Sequence, residues 1–308
     1  MCIPVINCSH ILQAENSRVR TDSTEAVSKA LKAVGCFYLT EHSIPSSEIE
    51  DVLFAAESLF AMEAKHKAAI KAVHEHDRGL HTYRMDPPGI ICEDIETSVE
   101  RHLFSSWSTI SLASNDQDCE GNDACEAFEV GSEPNPYNPN LWPPIDPNLR
   151  PKLTNLLVAC HLLHARLMAP ICSALGLTGP GGVPDSRVFE PDIRAADHVL
   201  RLLRAPAPEP AASARRARQA SVSLLFRRPG DRLLLRERGG RLRPLPPAPA
   251  GAALVSAGDL LWSRTRGAVA PPALHLAPPD GPPGAAAFAA SLLCRPGRPG
   301  TASAAPPR

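Results

Sequence analysis

The apolar residues change their spacing near residue 190, and this change constrains the fold more than any other feature of the chain. Before it, they recur at helical intervals. Over 147–177, Leu153, Leu156, Leu157, Cys160, Leu163, Leu167, Ile171 and Leu175 share one face, interrupted by Pro170. After it come short apolar runs at 199–203, 221–226, 232–235, 252–255, 260–262 and 287–293, with Gly and Pro between them. Short strands at such spacing predict a two-sheet sandwich or barrel. The chain therefore reads as α+β: a helical part over 1–190, a β-rich part over 191–296 and a disordered tail over 297–308.

Within the first part, 3–6 reads as a strand. A helix is predicted over 24–34, capped by Ser23 or Asp22 and stopped by Gly35. Residues 36–39 are β-rich and 42–45 form a turn. A second helix is predicted over 46–59, with Val52, Leu53, Ala56 and Leu59 on one face, and a third over 64–73. Residues 112–140 are polar, acidic and broken by proline, and read as a long mobile loop.

Of the 308 residues, 44% are hydrophobic and 21% charged, which is enough apolar surface for a sizeable core and excludes a wholly disordered chain. The formal net charge of −1 hides a split. Residues 1–190 hold 14 Lys+Arg against 26 Asp+Glu, and residues 191–308 hold 18 Arg, no Lys and 7 Asp+Glu. An arginine-rich half can signal phosphate or nucleic-acid binding. Here the arginines are scattered among Leu and Pro, with Phe226, Trp262 and Phe288 as the aromatics able to stack on bases, so compositional drift is the preferred reading and nucleic acid is not the expected partner. The nine cysteines form no CxxC pair, so neither a zinc motif nor a disulfide framework is indicated. The opening MCIPVINCSH lacks a secretory pattern, and no apolar run approaches the ~20 residues of a membrane span. Unpaired thiols fit a cytoplasmic setting.

Several segments, taken in order, resemble one family. Ile3-Pro-Val-Ile-Asn, Gly35-Cys-Phe-Tyr-Leu with His42-Ser-Ile-Pro, Leu59-Phe-Ala-Met with Lys65 and Lys67, Asn140-Leu-Trp-Pro, Ser223-Leu-Leu-Phe, and Gly258-Asp-Leu-Leu with Thr265-Arg-Gly are similar to segments of the isopenicillin N synthase-like iron(II)/2-oxoglutarate-dependent dioxygenases. The resemblance spans roughly 3–296. It implies a double-stranded β-helix, or jelly roll, preceded by a helical region.

The resemblance also implies a site: Fe(II) held by two histidines and a carboxylate, with positions left open for an oxoacid and O₂. The family's HxD pair falls on Arg216 and Arg218, cations without a lone pair for a metal. The distal histidine falls on His275, the one ligand type retained. The RxS pair that grips the oxoacid falls on Ala287 and Ala289, and the polar positions of NxYP fall on Leu203 and Ala205. The reading that follows is a catalytically inactive relative, a pseudoenzyme acting as a binding or regulatory module for a small molecule or a protein, with no membrane partner. An active non-haem iron oxidoreductase acting on a small molecule, through Asp197, His198 and His275, stays open as an alternative. So does an arginine-rich anion- or RNA-binding protein.

Other groups are weighed as ordinary features first. His74-Glu-His76-Asp77 reads as a solvated helix end. His161 and His164 lie one turn apart on the long helix and read as packing positions, without a carboxylate to complete a metal site. Cys119 and Cys125 sit among acids that oppose thiolate formation. Arg227-Arg228 and the arginines of 236–243 read as exposed hairpin charges. Gly179-Pro-Gly-Gly reads as a turn.

Overall fold

The computed structural model describes residues 3–12, 17–72, 78–83, 125–135, 138–144, 146–178, 198–206, 211–212, 220–237, 240–279 and 285–294. Two sheets form its β structure. The larger contains β1 (Val5–Asn7), β2 (Cys36–Thr40), β3 (Gly79–Tyr83), β4 (Cys125–Gly131), β5 (Val199–Pro206), β7 (Val222–Arg227), β10 (Ala253–Ala257) and β12 (Ala286–Leu293). Its order is β1-β2-β10-β7-β12-β5-β4-β3, with β1 parallel to β2 and the other pairs antiparallel. The smaller contains β6 (Ala211–Ala212), β8 (Arg232–Arg236), β9 (Leu242–Pro244) and β11 (Leu274–Ala277), in the order β6-β11-β8-β9.

The central strands are apolar on both faces apart from Ser223, Ser256 and Ser291 and the arginines of β5 and β7, because both of their faces are covered. In β2, Phe37 and Leu39 face the helices while Cys36 and Tyr38 face the space between the sheets. In β7, Val222, Leu224 and Phe226 take the first side and Leu225 the second. The helical layer comprises α1 (Cys8–Leu12), α2 (Ser17–Ala33), α3 (Ser46–Phe60), α4 (Ala64–Ala69) and α5 (Leu149–Leu175), with a short α6 (Asp259–Arg264) following β10. By length and hydropathy α5 could cross a membrane. Here it is a core helix, with Leu153, Leu156, Cys160, Leu163 and Leu167 buried in the cluster that the sheet shares with the helices. Gly176 ends it at φ +67°, and the amide of Leu177 donates back to the Cys172 carbonyl at 2.9 Å. Gly35 stops α2 at φ +80°. A Cβ there would come within 2.2 Å of the Ala270 carbonyl, so this turn requires glycine.

The predicted helices over 46–59 and 147–177 lie where expected, within two residues at each end. Four expectations are corrected. The 24–34 helix begins at Ser17, so Ser23 and Asp22 are interior residues rather than caps. Part of the supposed 112–140 loop is β4. Its glutamates pair with cations of β5 and α4, which removes the physical reason for leaving the segment in solvent. The run 260–262 is helical within α6, not a strand. The N-terminal part is also not purely helical, since β1 to β4 come from residues 5–131 and share a sheet with strands of the second part.

Candidate functional site

The four positions where the resemblance puts oxoacid contacts come together. Across the β12–β5 pair, Ala287 stands opposite Ala205 and Ala289 opposite Leu203. All four face the space between the sheets and none is more than 4% exposed. Leu225, Leu233, Leu235, Leu254, Leu274 and Leu276 fill the same cluster. Several polar groups on this face have partners, although Arg227 Nε has none. The Tyr38 hydroxyl donates to the Pro246 carbonyl at 2.8 Å, and Ser223 and Ser256 share a hydrogen bond of 2.7 Å. Glu129 and Arg201 pair with each other, with Arg201 Nε donating to Glu129 at 2.6 Å. Arg227, opposite Ala289, donates to the Asp231 carbonyl and approaches Tyr38. Burial pushes the Cys36 thiol up to about 12, so it carries no charge at neutral pH.

His275 does not face this space. In β11, Leu274 pairs with Leu235 and Leu276 with Leu233, and all four belong to the inter-sheet cluster. Alternation puts His275 on the opposite face, beside Leu234 and Ala212. The inward position that a ligand would need holds Leu274. Arg216 and Arg218 lie outside the described residues, as do Asp197, His74 to Asp77, Cys119, 179–182 and the tail. His198 lies beneath α5, on the helix side of the large sheet, so it and His275 belong to opposite sides of the two-sheet core. This placement does not bring His198 and His275 to one site, and Asp197 lies outside the described residues. The alkyl side chains at the four positions Ala287, Ala289, Leu203 and Ala205 offer Fe(II) no lone pair and an oxoacid carboxylate no donor, so the positions that the resemblance assigns to the oxoacid do not fit it.

Two polar constructions were not legible in the sequence. Glu126 of β4 accepts from Lys67 of α4 at 2.7 Å and from Arg204 of β5 at 3.1 Å, with its side chain 7% exposed. Asn140, in the Asn-Leu-Trp-Pro segment, pairs with the backbone of Gly131 as a strand would, donating and accepting at 2.9 Å. It also accepts from Arg78, whose guanidinium donates to the Ser132 carbonyl at 3.1 Å. That segment thus anchors the chain ahead of α5. Arg228 is half-buried rather than a free hairpin charge. It pairs with Glu57 at 3.1 Å and lies 4.3 Å over the Phe288 ring. His42 is structural. Its Nδ1 accepts from the Ile44 amide at 3.3 Å, so its Nε2 carries the proton and donates to the Gly251 carbonyl at 2.7 Å.

A second cluster sits on the helix side. His164 of α5, His198 just before β5 and Cys294 just after β12 are fully buried, and their ligating atoms lie within 4.8 Å of one another. Backbone bonds fix the strand ends. The Ser221 amide donates to the Cys294 carbonyl at 3.1 Å, and the Cys294 amide to the Val222 carbonyl at 3.4 Å. Ser221 Oγ bonds His164 Nε2 at 2.9 Å. His164 Nδ1 and both nitrogens of His198 have no partner. Each such buried orphan costs about 1–3 kcal/mol. The His161 ring lies 4.7 Å from that of His198. Burial, with the neighbouring histidines adding to it, pushes His164 down to about 3 and His198 to about 4, so both are neutral bases near pH 7.

Residues 3–88 match the family model for the N-terminal region of the non-haem dioxygenases, described for morphine synthesis. No curated protein sequence matches the chain. Among solved structures, a full-length Neurospora crassa protein in complex with alpha-KG and thymine superposes with a TM-score of 0.70 at 20% identity, over 96% of this chain and 86% of that one. A 2OG-Fe(II) oxygenase family protein of Caulobacter crescentus gives 0.67 at 17%, over 95% and 86%. The rice dioxygenase for auxin oxidation gives 0.61 at 15%, over 97% and 86%. Residues 3–88 thus carry the N-terminal sequence pattern of the non-haem dioxygenases, and the chain as a whole shares its fold with 2OG-Fe(II) oxygenases of known structure.

Proposed function

We propose that this protein is a catalytically silent member of its family, a jelly roll retained as a binding or regulatory module. The observation that carries the reading is the apolar patch formed by Ala287, Ala289, Leu203 and Ala205 in two adjacent cross-strand pairs, where the family resemblance puts the oxoacid grip. His275 on the far face of β11 and Leu274 on the inward face support it further. So does the replacement of the HxD pair by Arg216 and Arg218 in the sequence. Two guanidinium groups at a metal position would repel a dication by several kcal/mol, at about 4 kcal/mol per unit-charge pair 4 Å apart.

The double-stranded β-helix is part of the same proposal, with residues 191–296 as its degenerate catalytic portion. The partner is a protein or a small molecule that does not depend on iron. Calorimetric titration of 2-oxoglutarate into protein loaded anaerobically with Fe(II) tests the reading. No heat of binding is expected, and saturable one-to-one binding would overturn it.

A further inference from the structure

We infer that His164, His198 and Cys294 form a zinc site that ties α5 to the ends of β5, β7 and β12, on the side of the large sheet away from the inter-sheet space. Three observations converge on it. The ligating atoms of these residues already lie within 4.8 Å of one another. A tetrahedral zinc ion with bonds of about 2.0–2.3 Å needs its ligands roughly 3.3–3.8 Å apart, so closing the set takes small side-chain rotations rather than backbone movement. Both nitrogens of His198, on a residue with no exposed surface, have no hydrogen-bond partner, and neither does Nδ1 of His164. A buried imidazole without a donor or acceptor is rare in a packed core, and a metal gives its lone pair a use. Finally, Ser221 bonds Nε2 of His164, leaving Nδ1 as the nitrogen available for ligation. This is the outer hydrogen bond that commonly orients a metal-bound histidine.

The donor set selects the ion. Two imidazoles and one thiol with no oxygen ligand suit zinc or another thiophilic ion. They do not suit magnesium, calcium or manganese, and they are not the two histidines and a carboxylate of a non-haem iron site. His161, half-buried with its ring 4.7 Å from that of His198, is the side chain in reach of the fourth position. Sequence separation explains the staple: residues 164, 198 and 294 come from three elements that only the fold brings together. On binding, the Cys294 thiol loses its proton to solvent and ligates as thiolate. This site is independent of the silent-enzyme reading and would stand if that reading fell.

The test uses the full chain, with Zn²⁺ as the probe. Protein purified and then dialysed against zinc should hold about one equivalent by elemental analysis, and its thermal midpoint should rise with zinc. Cobalt(II) exchanged into the site should give a thiolate-to-metal charge-transfer band. Cys294→Ser and His198→Gln should each weaken zinc binding at least about 100-fold, beyond the 10–100-fold typical of losing an outer hydrogen bond, and Cys294→Ser should abolish the charge-transfer band. His275→Gln, on the other sheet, should change neither. Folded wild-type protein that takes up no zinc would overturn the assignment. So would zinc held equally well by the Cys294→Ser, His198→Gln double variant. Should single variants fail to fold, the zinc-dependent thermal shift and cobalt spectrum of the wild type alone decide the question.

Discussion

Ala289 of β12 stands directly opposite Leu203 of β5, with both side chains in the space between the two sheets. These positions are reached from separate segments of the sequence, one near Pro296 and one in Leu202-Leu203-Arg204-Ala205-Pro206. Their pairing, together with that of Ala287 and Ala205, makes one continuous patch. A patch of methyl and isobutyl groups has no means of holding a dicarboxylate, and it packs instead.

That packing has a measurable consequence. Leu203 is 4% exposed within a cluster of leucines and alanines. Leu203→Ala should lower the unfolding free energy by about 2–5 kcal/mol, the range for a leucine in a filled core. Urea denaturation measures it. A loss below about 1 kcal/mol would mean that the space is an open, hydrated cavity.

The buried charges of β4 give a second expectation. Glu126→Ala leaves Arg204 and Lys67 facing one another without their shared carboxylate, and should cost about 3–5 kcal/mol. Glu237 pairs with Arg243 in the exposed β8–β9 hairpin, and Glu237→Ala should cost under about 1 kcal/mol. Equal losses for the two variants in the same denaturation experiment would contradict the burial ascribed to Glu126.

His42 predicts a pH dependence. Burial lowers its pKa below the ordinary value of 6.5, although the bond to the Gly251 carbonyl and the charge of Glu41 work against the shift. Its Nδ1 accepts a backbone proton and cannot also bind one. The unfolded chain therefore takes up a proton near pH 6.5 and the native protein only at lower pH. The stability contributed by neutral His42 is present above pH 6.5. It falls as the pH drops below that value, by up to about 1.4 kcal/mol per unit. His42→Gln should flatten the stability profile between pH 6.5 and 5 relative to wild type, and an unchanged slope would remove His42 as its source.

Much of the fold was legible because its elements are periodic. The helices Ser46–Phe60 and Leu149–Leu175 carry apolar stripes, and the central strands are mostly apolar runs. β4 was hidden by Glu126 and Glu129, which look like loop charges until Arg204, Lys67 and Arg201 are placed beside them. His275 illustrates how narrow a strand register is. A shift of one residue moves every side chain to the other face, and the inward position belongs to Leu274. The histidines of α5 were visible in the sequence, but Cys294 lies far along the chain from them. Only the antiparallel pairing of Leu293 with Val199 brings it to His198.

The proposed catalytic silence is tested most directly by one measurement. Protein supplied with Fe(II), O₂ and 2-oxoglutarate should release no succinate above a protein-free control, at any iron concentration. Iron-dependent succinate release from the unmodified chain, abolished by a chelator, would contradict the account and make the protein an active 2-oxoglutarate oxygenase.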